Sequence, residues 1–257
     1  MKKLIFNTLI FCGLVGSFYS VGFGLGTDSS DDTSSFSQNS EEFLLGKEAD
    51  ETSGSTQEFA VTDTIKKVLI FGDSMTGWLG ERLQAYGEEN DFDVATICWD
   101  GATIQKWGSE ERTTRMLDQY QPDAVLICLG LNGLLVKNPE AQMGQYLDVM
   151  LEELGETPYL WIGPPSWPGK GKGEIINEWL EERLPDGRFF YSADLDIPRQ
   201  SKTNPHPTRA GINYWMDEIV EYIDSTKVLN FKSLNPPVEN TYKRGKDFIY
   251  KKMRENL

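Results

Sequence analysis

Histidine is almost missing from this chain: there is a single one, at position 206, in 257 residues. Cysteine is scarce too, with three, and no Cys-x-x-Cys or His-Glu-x-x-His arrangement occurs. Zinc sites draw their Cys and His ligands from such spacings, so no metal or other cofactor is expected. The cysteines make no disulfide scaffold either. Cys12 lies in the N-terminal apolar stretch, while Cys98 and Cys128 each fall late in a strand-like run, where buried free thiols act as small hydrophobes. Cations are outnumbered, 25 Lys and Arg against 40 Asp and Glu. The body has no basic stripe interleaved with aromatics, so nucleic acid is not an expected partner.

The ends of the chain differ from its middle. Lys2 and Lys3 precede 23 residues without a charge, 4–26. About 20 apolar residues cross a bilayer as a helix, and a positive start before an apolar run is equally the pattern of a cleaved signal. Residues 1–26 are therefore expected to export the chain, either as a signal peptide or as an uncleaved membrane anchor whose lysines stay inside. Residues 27–64 hold ten acidic residues and one lysine, −9 of the formal −15. Rich in Ser and Thr and poor in apolar residues, they bury too little to offset their ordering entropy and read as a disordered tether. The rest of the chain is only mildly acidic, so net charge says little about a substrate.

From residue 65 to 226 short apolar runs alternate with amphipathic stretches. Strands are predicted at 66–72, 92–98, 124–129, 158–162 and 188–191 from their β-branched and aromatic content. Helices are predicted at 75–87, 110–120, 141–154, 173–184 and 208–223; in the last, Ile212, Trp215, Met216, Ile219 and Ile223 share one face. Such alternation implies a three-layer α/β/α sandwich, a doubly wound parallel five-stranded sheet with helices on both faces and right-handed crossovers. Ligands then bind beyond the C-terminal ends of the strands. Residues 227–257 form an extension in which 242–256 carry six Lys or Arg. That stretch is predicted as a short basic helix docked through Phe248, Ile249 and Met253.

Four polar spots stand where strands end or the last helix begins: Gly72-Asp73-Ser74, Asp100-Gly101, Gly130-Leu131-Asn132 and Pro205-His206-Pro207-Thr208. Ser74, at a strand-to-helix turn, suits either a helix cap or a nucleophile whose attack creates an oxyanion at a positive helix end. His206 sits between two prolines, and its ring is the side chain whose ordinary pKa suits a base that alternates protonation states. Gly101 lets a backbone N–H approach a ligand closely, and the Asn132 amide can donate to a developing oxyanion. Ordinary turn chemistry accounts for either residue as well.

These blocks resemble those of the SGNH branch of the GDSL esterase/lipase superfamily. Gly72-Asp73-Ser74-Met75-Thr76 matches the first block, with Ser74 at the nucleophile. Asp100-Gly101 matches the second through Gly101, Gly130-Leu131-Asn132-Gly133 the third through Asn132, and Asn204-Pro205-His206-Pro207 the fifth through His206. The likeness runs from residue 68 to about 223. It implies a flavodoxin-like SGNH hydrolase fold and a serine hydrolase in which His206 is the base. The oxyanion is then held by the N–H groups of Ser74 and Gly101 and by the Asn132 amide. Two positions depart from the pattern. Gly133 stands where an acidic residue usually follows the asparagine, and Thr203 stands three before the histidine, where the family keeps its catalytic acid. Asp196 is the carboxylate expected to orient His206 instead, with Asp194 or a backbone carbonyl as the alternatives.

The expected substrate is an O-acetyl or other short-acyl ester on a cell-envelope or extracellular carbohydrate, hydrolysed or transferred by an enzyme held on the periplasmic or outer face. Trp99, Trp107, Leu134, Trp161 and Trp167, with the loop 163–173 and its Lys170 and Lys172, are the expected lining of an acceptor groove. The reading from another class is a catalytically inactive envelope protein that binds glycan through the same cleft.

Overall fold

The computed structural model describes residues 64–238 and 241–257. The export segment expected over 1–26, and all but the last residue of the acidic tether, lie outside the described residues. Among those described, no helix is long and apolar enough to cross a membrane.

Six strands form one parallel sheet in the order β5-β4-β3-β1-β2-β6. They are β1 (Lys67–Gly72), β2 (Asp93–Trp99), β3 (Ala124–Cys128), β4 (Tyr159–Ile162), β5 (Phe189–Phe190) and β6 (Asp247–Lys251). The helices are α1 (Thr76–Asn90), α2 (Ile104–Trp107), α3 (Arg112–Tyr120), α4 (Pro139–Leu154), α5 (Glu174–Arg183) and α6 (Arg209–Thr226). Strand side chains alternate between faces, and both faces are covered. In β1, Val68 and Ile70 join Leu79, Leu83, Ile212 and Met216 of α1 and α6. Leu69 and Phe71 join Ile104, Met143, Leu147 and Ile176 of α2, α4 and α5. A sheet buried on both sides explains why its strands read as continuous apolar runs.

The sheet has six strands where five were predicted, and the sixth replaces the basic helix expected over 242–256. Without it, β2 would present an edge of unpaired backbone groups. Residues Asp247–Lys251 pair along that edge, from Ala95↔Asp247 to Trp99↔Lys251. The many cations gave the stretch a helical look, but Phe248, Ile249 and Tyr250 favour strands and divide with period two. Ile249 packs into the α2–α4–α5 face, while Phe248 and Tyr250 turn to the side of α1. The four-residue α2 was not read from the sequence; a single turn started by the Thr103 hydroxyl, which accepts from Lys106 N–H at 3.3 Å, carries no periodic signal.

The strand order also settles the thiols. Gly72 is in register with Cys98 on one side and Cys128 on the other. Two strand spacings, roughly 10 Å, exceed the Cα separation of about 7 Å that a disulfide tolerates. Both cysteines are free and buried.

Candidate active site

β1, β2 and β3 end in register, so the three turns that follow them lie along one rim. At Gly72 a Cβ would stand 1.8 Å from the Cys128 carbonyl oxygen, which only glycine avoids. Trp107 of α2 supports this end of β1: its ring centroid is 4.3 Å from that of Phe71, and its Nε1–H donates to the Gly72 carbonyl at 3.3 Å. The chain then turns through Asp73 and Ser74 into α1. Met75 is the N-cap, with no side-chain capping bond. The Ser74 hydroxyl is therefore not spent on the helix; it stands 3.0 Å from His206 Nε2.

Asp73, unassigned by the sequence, sews the rim together. Its buried carboxylate accepts the Met75 N–H at 3.0 Å on one oxygen and the Leu131 N–H at 3.2 Å on the other. Burial pushes this carboxyl up to about 7 against the pull of the N–H groups of Met75, Leu131 and Gly130. The turn of Ser74 is thereby fixed to the turn of Asn132. Asn132 in its turn donates Nδ2–H to the Ala102 carbonyl at 2.8 Å, next to Gly101 at φ 63°. One of the two amide hydrogens of Asn132 is used here and one is left for a ligand.

His206 comes from the loop before α6. Its ring Nδ1 lies 2.7 Å from Asn204 Oδ1, and its own backbone N–H donates to that same oxygen at 3.0 Å. The second bond fixes the amide, because a backbone N–H needs an acceptor. Asn204 Nδ2 points away and donates to Gln200 Oε1 at 3.0 Å. With an acceptor facing it, Nδ1 carries the proton and Nε2 offers its lone pair to Ser74. The expected carboxylate is absent from this contact. Asp196 is exposed and makes no bond to the ring, and Asp194 pairs with Lys172. Thr203 offers its carbonyl to Trp167 Nε1–H, at 3.3 Å, and its N–H to Ser201 Oγ, at 3.4 Å. Asn204 is two residues before the histidine, close enough for its side chain to curl back on the ring; Asp196 lies on the far strand of the loop. A side-chain amide oxygen does the orienting.

The loop itself is held by Arg199. Its guanidinium donates to the carbonyls of Pro205 and, at 2.9 Å, Ser166, joining the histidine loop to the loop after β4. Among the described residues no carboxylate pairs with it, and burial lowers its pKa to about 10. Burial likewise holds the His206 pKa below its ordinary value; the Asp100 carboxylate pulls the other way and Arg199 reinforces the fall.

Of the aromatic residues expected to line a groove, Trp99, Trp107 and Trp161, with Leu134, belong to the core. Only Trp167 reaches the rim, half-buried, with Lys170 Nζ 4.1 Å from its ring centroid. The opening beside Ser74 is elsewhere: a cavity of about 330 Å³ between α1, the histidine loop and β6. Among the described residues no three His, Cys, Asp or Glu side chains are grouped to hold a metal.

No model of a known protein family matches the chain, and no curated protein matches it. Solved structures similar to it include a carbohydrate esterase family 3 protein from Talaromyces cellulolyticus (14% identity, 64% of this chain and 99% of that one, TM-score 0.48). The psychrotrophic esterase EstA from a Pseudoalteromonas species is another (20% identity, 63% and 98%, TM-score 0.45). A third is a member of the lipolytic protein G-D-S-L family from Veillonella parvula (12% identity, 61% and 97%, TM-score 0.45). The chemistry assigned below rests on this chain's own side chains.

Proposed function

We propose that the chain is a serine esterase of the SGNH hydrolase type, exported and acting on acyl esters of carbohydrate. The observation that carries the reading is the relay Ser74 Oγ–His206 Nε2, 3.0 Å, with the opposite ring nitrogen held at 2.7 Å by Asn204. A serine hydroxyl aimed at the lone pair of an oriented imidazole has one familiar use, activation as a nucleophile. His206 takes the hydroxyl proton as Ser74 Oγ bonds to the ester carbonyl carbon. The carbonyl oxygen gains the negative charge, and the donors assigned to it are the backbone N–H groups of Ser74 and Gly101 and the second Asn132 hydrogen. His206 passes the proton to the departing alcohol as the C–O bond breaks. Water, or a sugar hydroxyl, then releases the acyl group from Ser74 by the same steps in reverse.

Carbohydrate is assigned to the alcohol side because Trp167 brings a half-buried aromatic ring to the rim, with Lys170 Nζ over it at 4.1 Å. The export assignment comes from residues 1–26 and the acidic tether. Stoichiometric labelling of Ser74 by a fluorophosphonate, with hydrolysis of p-nitrophenyl acetate, is the expected result. Folded protein that does neither is a binding protein, and the esterase reading falls. Protease added to intact spheroplasts is expected to digest the domain; full protection refutes the outward placement.

A further inference from the structure

We infer that β6 builds an acyl pocket beside Ser74, and that the acyl group it takes is an apolar chain of medium length rather than acetyl. The inference rests on the esterase reading and adds its substrate class. The cavity of about 330 Å³ is bounded by α1 through Met75 and Trp78, by Ile212 and Pro207, and by Phe248 of β6. Its depth comes from Gly77, the second residue of α1: a Cβ there would lie 3.2 Å from Cys98 Sγ and 3.9 Å from the Phe248 ring. Any larger residue at 77 fills the space between helix and strand.

Most of the polar groups around the cavity have partners, with Ser74, His206 and the Asp100 carboxylate at its mouth. Tyr250 donates its hydroxyl to Asp100. Gln200 accepts from Asn204 and donates to the Pro207 carbonyl at 3.3 Å. Arg244 pairs with Glu81 at 2.6 Å. Cys98 offers its thiol to the carbonyl of Asp73 at 3.5 Å, and burial pushes its pKa up to about 12, so it lines the cavity as a neutral, apolar atom. Between them lies apolar surface, chiefly the half-buried Trp78 and Phe248, each with one guanidinium near its ring, Arg209 at 5.3 Å and Arg244 at 4.8 Å. An apolar chain gains by covering such surface; a methyl group covers little of it. The bulky alcohol has no room inside and leaves past His206 to solvent.

The test is a series of p-nitrophenyl acetate, butyrate, hexanoate and octanoate on the full chain, with fluorophosphonate labelling of Ser74 in parallel. Each methylene that leaves water gains about fourfold, so kcat/KM for butyrate is expected to exceed that for acetate at least tenfold, with the optimum at butyrate or hexanoate. Gly77→Leu fills the pocket and shifts the optimum towards acetate; Phe248→Ala enlarges it and shifts the optimum towards octanoate. Opposite shifts do not arise from general loss of stability, and Phe248→Ala alone decides if Gly77→Leu fails to fold. Labelled enzyme that prefers acetate, or whose optimum Phe248→Ala leaves in place, overturns the acyl pocket and spares the esterase. Absence of labelling at Ser74 overturns both.

Discussion

A neutral amide where a carboxylate is usual has a measurable consequence for acid–base behaviour. In the proposed attack His206 becomes an imidazolium, and Asn204 Oδ1 offers it a dipole rather than a charge. Burial already disfavours the cation, and among the described residues the carboxylate favouring it is that of Asp100. The base must be neutral to act, so a depressed pKa keeps it competent to lower pH. The acid limb of kcat/KM, which reports the free enzyme's base, is therefore expected below the ordinary imidazole value of about 6.5. Asn204→Asp places a negative charge at the same 2.7 Å contact. A carboxylate that close raises a partner's pKa by about 1–3 units, so the limb moves upward. Charge-assisted hydrogen bonds are roughly twice as strong as neutral ones; an added ~1.4 kcal/mol in the transition state is a rate gain of about tenfold at the optimum. Gln200 has to turn its amide to face the new carboxylate. Asn204→Ala removes the orienting bond, a loss of about 1–3 kcal/mol or roughly 5- to 150-fold in kcat. The assay is a pH series of kcat and kcat/KM on one activated ester. An unmoved limb in Asn204→Asp, together with an Asn204→Ala rate within threefold of wild type, refutes the role given to this residue.

Other outcomes follow from the same geometry. Asn132→Ala is expected to lower kcat/KM by roughly 10²–10³ with little change in Tm, since its free N–H is used in the transition state; less than threefold removes it from the oxyanion site. Asp196→Asn, on an exposed side chain with no bond to the ring, is expected to stay within about twofold in kcat, and a hundredfold fall would restore the relocated acid. Cys98 and Cys128, buried and with their pKa values raised by burial, are expected to resist iodoacetamide in the native protein at pH 8, as read by intact mass; rapid modification contradicts their placement.

The five strands β1–β5 and the long helices were legible because a sheet covered on both faces writes itself as apolar runs separated by amphipathic ones. That Ser74 and His206 meet, at 3.0 Å, and that Asn132 reaches back beside Gly101, was foreshadowed by strand ends and a proline-framed histidine. β6 was hidden by its cations: Lys246, Lys251 and Lys252 speak for a helix until the bare edge of β2 is known to need a partner. The buried tryptophans misled for a related reason. Trp99, Trp107 and Trp161 close to a rim look like sugar platforms, yet strand alternation turns Trp99 and Trp161, and the short α2 turns Trp107, into the layer behind it. Asn204 was out of reach in another way. Its neighbour Thr203 holds the position that spacing singles out, and only the backbone of the loop tells which of the two side chains curls back onto the ring.

Contacts that join β2 to β6 close a loop of about 150 residues, and the entropy of closing it must be met before any pairing rewards it. Ser74 and His206 lie inside the part of the chain that precedes this strand, but they are themselves 132 residues apart. Closure cost grows slowly with length, so the Ser74–His206 contact and the β6 wall beside it wait on closures of nearly equal cost, and the cavity is complete only when both ends of the domain have met.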